Sequence, residues 1–140
     1  ASHSFRGPGR RNAAMFGPPG SLYVYLSYGC HLCLNLVGRP GEAVLIRALH
    51  PEVGLEAIAA RRGRAVTAPD LCAGPGRLGQ ALGVRLDDNG LPLGGAARLE
   101  IGPADLPVLA GPRIGITRAA DRPWRFGLAG HPGLSRPFPP

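Results

Sequence analysis

The chain has 140 residues, of which 22 are Gly and 16 Pro, yet 44% are hydrophobic and fall in distinct blocks. That length suits one domain around one core, and no apolar run approaches the roughly 20 residues a membrane-spanning helix needs. The net charge is +7 and all 16 basic residues are Arg, which favours a polyanionic partner and excludes Schiff-base chemistry by a lysine side chain.

Residues 1–21 are turn-rich and basic, with Arg6, Arg10, Arg11 and the turn Gly17-Pro18-Pro19-Gly20. They do not read as a secretory signal. Leu22–Tyr28 is rich in aromatic and β-branched residues and is predicted as a strand. Gly29 breaks it, and His31–Val37 is predicted as the return strand of a hairpin with its tip near Tyr28-Gly29-Cys30. After a Gly38–Gly41 turn, Ala43–Leu49 is predicted as a third strand, nearly all apolar and therefore buried on both faces. Pro51 and Glu52 open a helix through Arg62, with Leu55, Ile58 and Ala59 as its apolar stripe. A basic loop follows, and Leu71–Leu78 leads into a second helix ending near Leu82. Asp88-Asn89-Gly90 is a turn. Ala97–Ile101, Arg113–Thr117 and Trp124–Leu128 are short strand candidates, and the Pro-rich end, 137–140, is expected to fray. Strands and helices do not alternate as βαβ units, so the expected fold is a single α+β domain, residues 1–136, with a mainly antiparallel sheet.

Several residues carry chemistry under one of two readings. Tyr23 and Tyr25 share one face of a strand, either as core or as a platform for a nucleobase, with Tyr28 at the tip as a wedge. Asn35 is polar among Leu34, Leu36 and Val37 and must be hydrogen-bonded if buried. Arg47 interrupts an apolar strand; it is either ion-paired with Glu42, Glu52 or Glu56, or a phosphate clamp. Pro75-Gly76-Arg77 offers helix-start N–H groups and a cation, either a phosphate site or an ordinary helix start. His3 lies in an exposed-looking segment. Cys30, Cys33 and Cys72 are odd in number, as in a reducing cytosol, and Cys30-x-x-Cys33 is expected to be buried thiols rather than a zinc site.

Long stretches resemble one family. Arg11-Asn12, Met15-Phe16, Gly20-x-Leu22-Tyr23-Val24-Tyr25-Leu26-x-Tyr28-Gly29-x-x-x-Cys33-x-Asn35, Leu45–Leu49, Leu71-Cys72-x-Gly74-Pro75-Gly76-Arg77-Leu78-x-Gln80-Ala81-Leu82-Gly83, Arg113–Ile116 and Pro123–Phe126 together resemble the alkyladenine (3-methyladenine) DNA glycosylases. The resemblance implies a base-excision repair enzyme that inserts a β-hairpin into the DNA minor groove. It flips out an alkylated or deaminated purine and hydrolyses the N-glycosidic bond without a metal or other cofactor. It implies Tyr28 as the intercalating residue, and Tyr25 and His3 as walls of the base pocket. Tyr23 is implied as the partner of the histidine, Asn35 as the group that rejects the guanine amino group, and Arg47 as a supporting group near the phosphate and the catalytic water. Arg77 is expected to meet a DNA phosphate. The partner is duplex DNA with damaged purines, met by a monomer inside the cell, with no membrane.

The departures from the family pattern also set expectations. The family's general base lies in a Glu-x-Glu-Ala-Tyr stretch before the Ser2-His3 motif, and the sequence starts after that point. The chain is therefore expected to lack its N-terminal part, its general base and one pocket tyrosine. The alternative is a DNA-binding relative impaired in catalysis; a third reading is an unrelated basic interaction module. His50 replaces a usual Glu, and Cys30 and His31 replace the usual apolar pair beside the wedge.

Overall fold

A computed structural model describes residues 2–65, 67–68, 70–94, 98–100, 102 and 106–138. Strand β1 (Leu22–Ser27) pairs antiparallel with β2 (His31–Val37), in a register running from Leu22 opposite Leu36 to Ser27 opposite His31. The predicted hairpin and its tip are both present. Cys30 N–H donates to Ser27 O at 3.2 Å to close the tip. Tyr28 and Gly29 take φ of 50° and 71°, the doubly positive pattern that matches strand twist in tight hairpins. Gly29 adopts it freely; Tyr28 does so at a steric cost.

The third strand is shorter than its apolar run. Strand β3 spans Ala43–Leu45 and pairs with Asn35–Val37, giving the order β1-β2-β3. Ile46 N–H still reaches Leu34 O at 3.0 Å, but the chain then changes partner. Ala48 bridges to Ala73, Leu49 N–H donates to Cys72 O, and Gly74 N–H to Arg47 O. The expectation of burial on both faces is wrong as well: Val44 is 64% exposed, because nothing among the described residues covers that face of the edge strand.

Helix α1 spans Leu55–Arg62 and starts later than the expected opening at Pro51 and Glu52, because Gly54 turns into the left-handed region and accepts the first helical bond from Ile58 N–H. Helix α2 spans Pro75–Leu82, with its proline in the first turn as predicted. Ile58 and Ala59 of α1 form a core with Leu71, Cys72 and Ala81. Arg61 and Arg62 bind back across it, their Nε atoms donating to Ala81 O and Leu71 O. A second core joins Met15, Tyr23 and Val37, with Phe16 and Tyr25 against it.

A separate antiparallel pair is formed by β4 (Val108–Gly111) and β5 (Arg125–Leu128). β5 fulfils the Trp124–Leu128 expectation. β4 is unforeseen because Pro107 and Pro112 bracket it and make it read as loop. Arg113–Thr117 forms no strand. Ala97 and Ile101 lie outside the described residues, and Arg98–Glu100 between them are not strand.

The Pro-rich end does not fray as far as it is described. Buried Arg125 donates to the carbonyls of Arg136 and Pro137, and its guanidinium sits 4.0 Å from the Phe138 ring centroid. Gly111 and Gly127 make the room: a Cβ on Gly127 would meet Phe138 and Leu134 at 2.9 Å. Pro139 and Pro140 lie outside the described residues. The architecture is α+β with antiparallel sheets.

Candidate functional site: a cleft between the two sheets

A cavity of about 840 Å³ opens between the β1–β3 sheet and the β4–β5 pair, a size typical of small-molecule sites. His3, Tyr23, Tyr25, Asn35 and Arg47 all line it. The hairpin places the tyrosines: Tyr23 and Tyr25 stand on one face of β1 with ring centroids 5.5 Å apart, stacked at 30°. His3 reaches them from the turn-rich start of the chain. Its Nδ1 is hydrogen-bonded to Tyr23 Oη at 2.8 Å, and its ring meets Tyr25 edge-on at 4.5 Å. Asn12 secures that segment by donating from Nδ2 to the carbonyls of His3 and Gly7. Asn35 is buried and its Nδ2 donates to Tyr23 O at 2.9 Å.

Burial pushes the Tyr23 phenol up, and pushes that of Tyr25 to about 12, with the neighbouring Cys33 thiol adding to the shift. Both shifts move the phenols further from ionising, so the cleft presents neutral aromatic faces at pH 7. Cys33 is itself buried and raised by burial. Cys72 is buried too, but Cys30 is exposed at the hairpin tip, contrary to the expectation of a buried pair. The CxxC spacing straddles the end of the tip, so only its second thiol enters the sheet.

Arg47 has no ion pair among the described residues, so the expected Glu42, Glu52 or Glu56 partner is not there. Its Nε is buried without a hydrogen-bond partner. Burial lowers its proton affinity, and the charges of Arg125 and Arg113 lower it further. Arg113 and Trp124 also line the cleft; no local pattern marks them as site residues, because they arrive from the far end of the chain. The described residues thus set three cations against the cleft and one carboxylate, that of Glu42.

Two residues lie apart from the cleft. Tyr28 is 91% exposed at the tip. Arg77, in the first turn of α2, is ion-paired at 3.1 Å with Asp70, which also holds Arg64 at 3.3 Å. Among the described residues no three His, Cys, Asp or Glu side chains gather to hold a metal, and no helix is long and apolar enough to cross a membrane.

Known proteins share this chain almost from end to end. Three provisionally named 3-methyladenine DNA glycosylases each align with 99% of it. That of Rhizobium meliloti is 54% identical over 139 residues, which cover 75% of the relative. Those of Rhodopseudomonas palustris and Nitrosospira multiformis are 55% and 54% identical, with 69% and 73% of their lengths covered. The family model for methylpurine-DNA glycosylase matches residues 1–132. The chain belongs to the methylpurine-DNA glycosylase family.

Proposed function

We propose that the protein binds duplex DNA containing a damaged purine, turns the damaged nucleotide out of the stack and holds its base in the cleft between the two sheets. The observation that carries this reading is one hairpin with two ends. A fully exposed tyrosine, Tyr28, stands at its tip, and an aromatic pocket of Tyr23, Tyr25 and His3 lies at its base. A wedge side chain fills the gap a displaced base leaves, and electron-rich rings favour an electron-poor alkylated base. Asn35 contributes an amide at the pocket wall. Arg47, Arg113 and the helix-start Arg77 supply positive charge for the phosphates. Hydrolysis adds water to C1′ of the sugar while the purine leaves with a proton. The sequence holds no lysine to form a Schiff base, which supports a monofunctional enzyme; the family reading adds that it needs no cofactor and acts as a monomer on DNA inside the cell. Within this sequence residues 1–136 belong to the domain, whose N-terminal part they lack.

A second reading, lesion binding without hydrolysis, is favoured by the carboxylate inventory. Water needs a base to take its proton, typically worth about 10²–10⁴-fold. Among the described residues lining the cleft only the exposed Glu42 could serve. Incubation with duplexes carrying hypoxanthine or alkylated adenine separates the two. Base release establishes the glycosylase; tight lesion binding without release establishes the second reading; equal affinity for damaged and undamaged duplex refutes both. A strand nick trapped by borohydride would refute the monofunctional assignment.

A further inference from the structure

β2 is a central strand over only part of its length. β3 pairs with Asn35–Val37 and Ile46 N–H reaches Leu34 O, after which the chain leaves to pair with Cys72–Gly74. Alternate carbonyls of a strand point to the same side. Leu32 O therefore points to the same outer edge as Leu34 O, where no strand meets it. α2 occupies that place. A Cβ on Gly79 would collide with Leu32 O, and one on Gly76 would lie 2.7 Å from His31 Cγ. Neither glycine has a left-handed φ, so backbone conformation does not call for glycine at either position. The close approach does: the helix backbone rests directly on the strand edge, where any side chain would stand between them. The side chains that α2 buries are those of Leu78 and Ala81, and Gly79 is buried between them.

We propose that Gly76 and Gly79 are positioning residues for the wedge. They brace the unpaired part of the hairpin on α2 and thereby fix the tip, and with it Tyr28, relative to Arg77 at the start of the helix. A two-stranded hairpin is by itself only marginally stable, and beyond Leu34 the only described element along the outer edge of β2 is α2. His31 is the first strand residue after the tip, so its contact with Gly76 acts where an angular error would carry the wedge furthest. The inference rests on the wedge reading above.

The test compares the parent, Gly76→Ala, His31→Ala and the double variant. The methyl group that Gly76→Ala adds conflicts with the inner atoms of the His31 side chain, Cγ and Cβ, so the tip end of β2 must shift, while the two cores, to which His31 does not belong, persist; Gly79→Ala, which conflicts with backbone, is the severer companion. Two readouts are taken: amide exchange of residues 27–32 without DNA, and the preference for a duplex with an abasic-site analogue over an undamaged one. In Gly76→Ala the tip amides should exchange faster. Lesion preference should fall about tenfold or more, as misplacement by about an ångström can, with the thermal midpoint and the affinity for undamaged duplex unchanged. Adding His31→Ala removes the two ring atoms that lie closest to the methyl group and leaves a tight contact of 3.0 Å with the remaining Cβ, and should move both readouts most of the way toward those of His31→Ala alone. Unchanged tip exchange or unchanged preference in Gly76→Ala overturns the proposal. So does a loss that His31→Ala does not relieve, or a fall in thermal midpoint large enough to account for it. A parent with no lesion preference would instead refute the wedge reading, and the exchange data would still decide whether the brace exists.

Discussion

The side-chain amide of Asn35 donates a 2.9 Å hydrogen bond to the backbone carbonyl of Tyr23, the residue directly opposite it in the β1–β2 pair. A carbonyl can only accept, so this bond sets which end of the amide faces the strand. It also ties one wall of the cleft to the backbone of another. Asn35→Ala should cost about 0.5–1.5 kcal/mol, the worth of one hydrogen bond, since the carbonyl keeps its ladder partner, and Asn35→Asp should cost more, because a carboxylate would face the carbonyl. Urea unfolding of the two variants measures both; a neutral Asn35→Ala would show that water replaces the amide.

Arg47 should be a liability to the free protein. Its buried Nε lacks a partner and two further guanidinium groups raise its electrostatic cost. Arg47→Met keeps the apolar stem and removes the charge, and should stabilise the DNA-free chain by about 1 kcal/mol. The same variant should bind abasic duplex more weakly. Thermal unfolding without DNA is the check, and a destabilised variant would reveal a partner for Arg47.

Tyr28 carries a backbone cost at φ 50° for a side chain that touches almost nothing. Tyr28→Asn, which tolerates the left-handed region, should raise stability by about 1 kcal/mol while lowering affinity for lesion-bearing duplex. If stability falls instead, Tyr28 packs in solution and is not a free wedge.

Alkali should unfold the protein through Tyr25. Its phenol is held up to about 12 from an ordinary 10. Between those values the unfolded chain releases a proton that the folded chain keeps, so the contribution of Tyr25 should be level below pH 10 and be lost from pH 10 toward 12, on top of an earlier fall from the buried thiols of Cys33 and Cys72. Tyr25→Phe should flatten that fall. Denaturant midpoints between pH 8 and 12 test it.

Asp70 restrains two cations, Arg64 and Arg77. Asp70→Asn should free them for phosphates and strengthen DNA binding at low salt. Arg77→Ala should reduce the slope of log affinity against log salt by about 1, the share of one phosphate contact. An unchanged slope in Arg77→Ala would place that arginine outside the DNA interface.

The local elements were legible in the chain wherever a local cause made them. Alternating aromatic and β-branched residues broken by Gly29 set the hairpin and its tip, because a tight turn needs positive φ only two residues wide. Pro75 and Gly83 bounded α2, because proline suits a helix start and glycine a left-handed end. Tyr23, Tyr25 and Asn35 stood out by their places on the hairpin, with core and base platform as the two readings, whereas His3 was legible only through resemblance to a family, since nothing local brings residue 3 to residue 23. Tertiary structure decided what depends on distant partners. The run Ala43–Leu49 looked like one strand, yet it changes partner after Ile46 because Cys72–Gly74 offers a second edge. Arg47 read as either ion-paired or a phosphate clamp, and packing places it beside Arg113 and Arg125 rather than a carboxylate. Arg77 read as a phosphate ligand or part of an ordinary helix start, and the fold sets Asp70 against it. The Pro-rich end looked loose until Gly111 and Gly127 left room for Phe138. Strand and turn preferences act over neighbouring residues and are written in them, whereas a charge's partner and an edge's cover are set by which surfaces the folded chain brings within a few ångströms.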